Sequence, residues 1–241
     1  MRELDSISVV GAGRLGAALA AALRASGFAV DGPLGRGAEP RSAVVLLCVP
    51  DGEIASAGVA LAPGRLVGHC SGATGLEPLA GHEAFALHPL MTVPAGAPAD
   101  VFFGAGCAID GSTPRALEVA AGLAARLGMR ATRVAPEDRA AYHAAASIAS
   151  NFLVTLEGAA ERLAATAGVE RALLAPLVRA AVENWAELGA ERALTGPIAR
   201  GDEATVDRQR AAVVERAPEL AALFDALAGA TRTLAAARVA A

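Results

Sequence analysis

The chain of 241 residues contains no lysine: all 21 of its basic residues are arginine. That absence excludes a Schiff-base lysine, a phosphate-loop lysine and a lysine general acid. Cysteine is scarce. Cys48, Cys70 and Cys107 are isolated from one another, with no CxxC pair and no His/Cys ligand spacing, so neither a disulfide framework nor a metal site is expected. Aromatic residues make up only 3% of the chain, the net charge is −4, and there is no basic tract, which argues against a nucleic-acid partner. The uncharged run 140–156 falls short of the ~20 residues of a membrane span and carries His, Ser and Asn. The N-terminal stretch "MRELDSISVV" has charges where a signal peptide needs an apolar core. The expectation is a soluble, cytoplasmic protein with no membrane association.

What is present is a globular composition, 54% hydrophobic and 19% charged, on a chain long enough for one large domain or two modest ones. Short β-type runs at 6–10, 28–34, 42–49, 65–72, 83–93, 101–109 and 129–134 alternate with helix-forming segments through Gly/Pro turns. This pattern predicts an α/β fold built on a mostly parallel sheet. After Pro136 the strand pattern stops, and 137–167, 169–193, 202–215 and 217–238 read as helices. The division expected is an α/β domain over 1–135 and an all-α domain over 136–241.

"VVGAGRLGAALAAAL" places Gly11, Gly13 and Gly16 in GxGxxG spacing between a strand and a helix. Gly11 permits the tight turn, Gly13 lets a diphosphate approach the backbone, and Gly16 lets helix and strand pack closely. The residues from Gly11 through Ala12, Gly13, Arg14 and Leu15 to Gly16 are therefore candidate cofactor contacts. Val49 and Pro50, which end the third strand, join them. An NAD enzyme usually carries an acid at the end of the second strand for the ribose 2′-hydroxyl. Asp31 lies inside that strand instead, and the loop beyond it reads "LGRG" with Arg36 at its tip. A guanidinium there suits a 2′-phosphate, so NADP(H) is the expected cofactor.

Polar residues then appear where strands end. "GHCSGATG" offers His69 and Ser71, and "ALHPLMTV" offers His88. "AYHAAASIASNFLV" is an alanine-rich helix with no charge from Ala140 to Leu156, yet it carries His143, Ser147, Ser150 and Asn151. On a regular helix these four fall within a sector of about 100°. Hydride delivery to a carbonyl needs a proton donor and fixed hydrogen-bond donors at the developing oxyanion. The histidines, Asn151, Ser71 and Ser147 supply such groups, whereas Tyr142, the single tyrosine, reads as packing. In "LTGPIARGDEATV" Asp202 reads as a helix N-cap, and Arg200 either binds a substrate carboxylate or pairs with Asp202.

Taken in order, the fingerprint, "HCSGATGLEPL", "HPLMT", "YHAAASIASNFL" and "LTGPIARGD" resemble a bacterial family over essentially the whole chain. Its members are Rossmann-like proteins whose helical C-terminal half is a domain of unknown function. The family is similar to the broad group of pyrroline-5-carboxylate reductase, ketopantoate reductase and the β-hydroxyacid dehydrogenases. The resemblance implies an N-terminal NADP domain, a helical C-terminal domain that commonly dimerises, and an active site in a cleft between them. The lysine that β-hydroxyacid dehydrogenases and ketopantoate reductases use is missing here, and the equivalent helix offers His143, Ser147 and Asn151. The expected activity is NADP(H)-dependent reduction of a small carbonyl such as a 2-keto acid, with His143 or His69 as proton donor. An imine reductase, a non-catalytic NADP-binding protein and an S-adenosylmethionine methyltransferase are the alternatives.

Overall fold

The computed structural model describes residues 5–240, and the side chains of those up to 237. Met1–Leu4, the charged start of the N-terminus, lie outside the described residues. The chain divides into two compact units, Met1–Ser150 and Asn151–Ala241.

The first unit is built on seven strands: β1 (Ser6–Val10), β2 (Ala29–Leu34), β3 (Val44–Leu47), β4 (Leu66–His69), β5 (Glu83–Leu90), β6 (Gly106–Gly111) and β7 (Arg130–Arg133). Their order in the sheet is β2-β1-β3-β4-β5-β6-β7. All neighbouring pairs are parallel except β5 and β6. The helices α1 (Arg14–Ala25), α2 (Ile54–Val59) and α3 (Pro114–Arg126) supply crossovers. β3 and β4 read as continuous apolar runs because both faces are covered, and every residue of both is buried. Two apolar clusters result. One joins Leu19, Leu23, Phe85, Phe102 and Leu123, and the other joins Val45, Ile54, Val67 and Leu79.

The order reverses between β1 and β3, since β2 lies on one side of β1 and β3 on the other. In doubly wound sheets ligands lie at the carboxyl ends of the strands at such a reversal. The loops after β1, β3, β4 and β5 all open on that edge.

Local propensity misplaces one strand. "VFFGAGCAI" has strand composition, yet 101–104 form a turn and β6 starts only at Gly106. Phe102 is fully buried and anchors that turn in the larger core cluster, so tertiary burial overrides β-propensity.

Helical structure begins at Pro136, as the sequence indicates, but α4 (Arg139–Ser147) belongs to the first unit. The helix expected over 137–167 is not regular. A π-helical turn (Ile148–Phe152) separates α4 from α5 (Leu153–Ala165). The second unit continues with α6 (Arg171–Leu188), α7 (Ala190–Ala193), α8 (Glu203–Arg216) and α9 (Ala221–Ala240). Its core joins Ala159, Val213, Ala217 and Leu220, packed by Leu163 and Phe224. Among the described residues one helix, Pro218–Ala237, is long and apolar enough by length and composition to cross a membrane. It carries Asp225 and Arg232, which form two-pronged ion pairs with Arg210 and Glu203 of α8.

Candidate functional site

The glycine fingerprint takes the form its spacing requires. Gly11 has φ +114°, and a side chain there would place Cβ 2.2 Å from the Cys48 carbonyl oxygen. A Cβ on Gly16 would lie 1.9 Å from the Gly11 carbonyl oxygen. A Cβ on Gly13, the N-cap of α1, would meet nothing within 4 Å. Gly11 and Gly16 therefore let the backbone close up, while Gly13 leaves an open approach. No side chain caps α1 and no acid occupies its first turn, so its N-terminal amides remain available to an anion. A cavity of about 300 Å³ covers this point, lined by Ala12, Gly13, Arg14 and the loop Ala95–Gly96–Ala97. Leu15 packs against the larger core cluster and Val49 against the smaller one, both partly buried.

The Gly11 amide donates to the Leu34 carbonyl at 2.8 Å, which ties the end of β2 to the fingerprint. Two residues on, Arg36 is highly exposed and makes a two-pronged ion pair with Glu53. Asp31 is occupied elsewhere: its carboxylate accepts from the Ser8 hydroxyl at 3.0 Å and the Arg41 amide at 2.9 Å.

Past β4, Ser71 has committed its hydroxyl. It donates to the Asp51 carboxylate at 2.8 Å and accepts from the amides of Ala73 and Thr74. His69 is fully buried. Its Nδ1 accepts from the Ser71 amide at 3.2 Å, which puts the proton on Nε2, 2.9 Å from the Gly75 carbonyl. Burial is the main cause that lowers its pKa below the usual 6.5.

His88, near the end of β5, makes a contact that no sequence spacing announces. Its Nδ1 lies 2.8 Å from the Tyr142 hydroxyl on α4. The two rings are edge to face, with centroids 5.6 Å apart. The exposed His143 ring is next, 6.4 Å from His88 between centroids. Burial, reinforced by the neighbouring His143, lowers the His88 pKa to about 4, and burial pushes the Tyr142 phenol up to about 12. The base of α4 is pinned by Arg139, which pairs with Asp110 of β6 at 3.1 Å and donates to the Thr74 carbonyl at 3.2 Å. Both partners of that ion pair are buried.

Ser147 ends α4, half-buried, while Asn151 lies exposed in the π-helical turn. That turn slips the helical phase by about one residue, or about 100°, so the single sector projected for His143 through Asn151 does not continue through it. Arg200, in the second unit, is exposed on a 3-10 turn. Asp202 is the N-cap the sequence indicates and accepts from the Thr205 amide at 3.1 Å. Among the described residues no cluster of His, Cys, Asp and Glu is arranged to hold a metal ion.

The family model described as Domain of unknown function (DUF2520) matches residues 105–231, more than half of the chain. The chain belongs to this family. A search of curated proteins finds no match. Among solved structures it is similar to the "putative NADP oxidoreductase BF3122 from Bacteroides fragilis", at 20% identity and TM-score 0.81 over 97% of this chain and 100% of that one. It is also similar to protein TM1727 from Thermotoga maritima, at 22% identity and TM-score 0.77 over 96% and 98%. A third is 1-pyrroline-5-carboxylate reductase from Streptococcus pyogenes, at 12% identity and TM-score 0.64 over 95% and 98%. What these structures share with the chain is the fold: a Rossmann-like sheet followed by helices, as the sequence resemblance implied.

Sequence reasoning missed Asp51, Arg139 and the contact of Tyr142 with His88. No motif or spacing in the sequence singles out the first two. Nothing local to Tyr142 marks its partner, which lies 54 positions earlier.

The histidines predict an acid limb in stability. His88 and His69 bind protons less readily in the folded chain than in the unfolded one, whose histidines titrate near ~6.5. Their contribution is fully present above that pH and is lost as the pH falls toward the folded value of about 4 for His88. Urea unfolding at stepped pH should lose about 3 kcal/mol across this window. His88→Gln should flatten most of that slope, and a variant with the wild-type slope would contradict the assignment.

Proposed function

We propose that the protein is an NADP(H)-dependent oxidoreductase that reduces a small carbonyl compound, a 2-keto acid of the ketopantoate type being the first to assay. One observation carries this reading. The open approach over Gly13 and its cavity lie on the same carboxyl edge of the sheet as the His88–Tyr142–His143 cluster. The residues fit a dinucleotide. Free amides at the start of α1 face a diphosphate, and no side chain or acid competes for them. Arg36, free to exchange its exposed Glu53 partner for a 2′-phosphate, supports NADP(H) over NAD(H), as does an Asp31 already bonded within the sheet.

When bound, NADPH supplies a hydride. The chain supplies the rest. The 70–75 loop, held by Ser71 and His69, forms a fixed wall. The histidine–tyrosine cluster provides the proton and its route to solvent through exposed His143. Ser147, at the end of α4, offers a hydroxyl for orienting a substrate.

A homodimer belongs to the same proposal. Leu173, Leu177 and Trp185 of α6 are 70%, 68% and 57% exposed, and α6 contributes no buried residue. On a regular helix these three fall within about 120° of one another, an apolar face that a second copy would cover.

The test is calorimetry with NADPH and NADH, followed by loss of NADPH absorbance against a panel of keto acids and imines, on protein whose mass is read by sedimentation. NADPH should bind at least about tenfold more tightly than NADH, a difference of about 1.4 kcal/mol. Arg36→Gln should erase that preference, and the protein should sediment as a dimer. No heat with either coenzyme refutes the reading. Tight binding without turnover of any compound leaves a non-catalytic NADP-binding protein, and turnover of imines alone makes it an imine reductase. A monomer at micromolar concentration removes the dimer.

A further inference from the structure

We propose that the hydroxyl of Tyr142 is the group that hands the proton to the reduced substrate, with the imidazole of His88 as the relay that restores it. This rests on the reductase reading above and names a catalytic residue within it.

Four observations point to it. Tyr142 is the only tyrosine of the chain, and its oxygen meets a ring nitrogen of a strand residue 54 positions earlier, at 2.8 Å. The His88 ring is seated for that contact: a Cβ on Gly72 would lie 2.7 Å from its Cε1, so the space it fills exists only because that residue is glycine. The helix that carries Tyr142 is fixed one turn earlier by the buried Arg139–Asp110 pair. The phenol is half-buried, so its oxygen is anchored on one side without being sealed. A hydroxyl offers one proton and two lone pairs. When His88 Nδ1–H donates to one lone pair, the phenolic proton is free for a ligand.

The step balances simply. As hydride reaches the carbonyl carbon, the π pair of the C=O bond moves to oxygen. That oxygen takes the proton from Tyr142, breaking the phenol O–H bond and forming the alcohol O–H bond. The phenolate takes the Nδ1 proton of His88 as Nε2 of the same ring takes one from water, and the resulting Nε2–H tautomer returns to the Nδ1–H form by proton exchange with water before the next turnover, so each turnover consumes one solvent proton. His88, with its pKa lowered to about 4, is neutral at physiological pH and suits a relay better than a cationic acid. The ionisable groups bearing on the pair are His143, Arg139, Asp51, His69 and Cys107.

The single tyrosine makes the test clean. Protein made with fluorotyrosine carries one fluorine resonance, whose chemical shift follows ionisation of Tyr142. Adding NADP⁺, with its cationic ring, should lower the midpoint of that titration by about one pH unit. An unmoved midpoint, with binding verified by calorimetry, overturns the proposal without touching the reductase reading. In turnover, Tyr142→Phe should lower kcat by about 100-fold or more, with NADPH affinity unchanged. His88→Asn, which keeps a donor toward the phenol, should retain more activity than His88→Ala. Turnover by Tyr142→Phe within about threefold of wild type overturns the proposal alone. Failure of NADP⁺ to bind overturns both it and the reading beneath it.

Discussion

Gly16→Ala is expected to cost the protein its fold, and Gly13→Ala only its cofactor. A methyl group on Gly16 would sit 1.9 Å from one backbone oxygen and 3.2 Å from Cys48 Cβ. Backbone atoms held by a sheet on one side and a helix on the other cannot retreat as a side-chain tip can. The start of α1 must move away from β1, which strains the packing of Ala18, Leu19 and Leu23 in the larger core cluster. Overpacking commonly costs 1–3 kcal/mol, and a clash between main-chain atoms belongs at or beyond the top of that range, about 3 kcal/mol or more. Gly13 differs because its virtual Cβ meets open space. Its replacement should leave urea stability within about 1 kcal/mol of wild type, the scale of an N-cap change. Gly13 lines the cavity together with Arg14 and Ala97, so a methyl group there should lower NADPH affinity by about tenfold or more. Paired urea and calorimetric titrations read the contrast. Equal stability of the two variants would refute the packing argument, and undiminished NADPH binding by Gly13→Ala would move the diphosphate elsewhere.

Asp110→Ala should be as damaging, for an electrostatic reason. The Asp110 and Arg139 side chains are only 7% and 6% exposed, so removing the carboxylate strands a guanidinium in the interior. Breaking such a pair from one side costs about 3–5 kcal/mol. The amide of Gly111, which donates to the same carboxylate at 2.9 Å, loses its partner as well. Arg133 also approaches Asp110, at 3.6 Å, but is 64% exposed. Arg133→Ala should therefore change stability by less than about 1 kcal/mol. Removing both buried charges, with Asp110→Leu and Arg139→Met, should recover most of the loss. A loss below about 1 kcal/mol for Asp110→Ala would mean that the pair is hydrated in solution. Because Arg139 fixes the base of α4, the variant should also loosen the seat of Tyr142 against His88.

What the sequence made legible follows from the range of the interactions involved. The fingerprint was readable because each glycine answers a local steric demand, and the buried strands because two covered faces leave unbroken apolar runs. His69, Ser71 and His88 were readable as polar residues at strand ends, although the bonds that occupy His69 and Ser71 were not. Pairings across the chain left no local trace: Tyr142 meets His88 from 54 positions away, and Arg139 meets Asp110 from 29. The inverted direction of β6 and the turn around Phe102 also depend on what each packs against. The π-helical turn escaped for another reason. Residues 148–152 have the composition of ordinary helix, and composition does not record which carbonyl each amide selects.

The Ser71 hydroxyl, with its proton and both lone pairs already engaged by Asp51, Ala73 and Thr74, bears on how the edge of the sheet meets a visitor. A loop tied on every side is rigid before anything arrives, so docking there forfeits little conformational freedom. The same stiffness makes the wall a poor accommodator: a molecule of the wrong outline finds no slack to exploit, and selectivity resides in shape that folding has already cast.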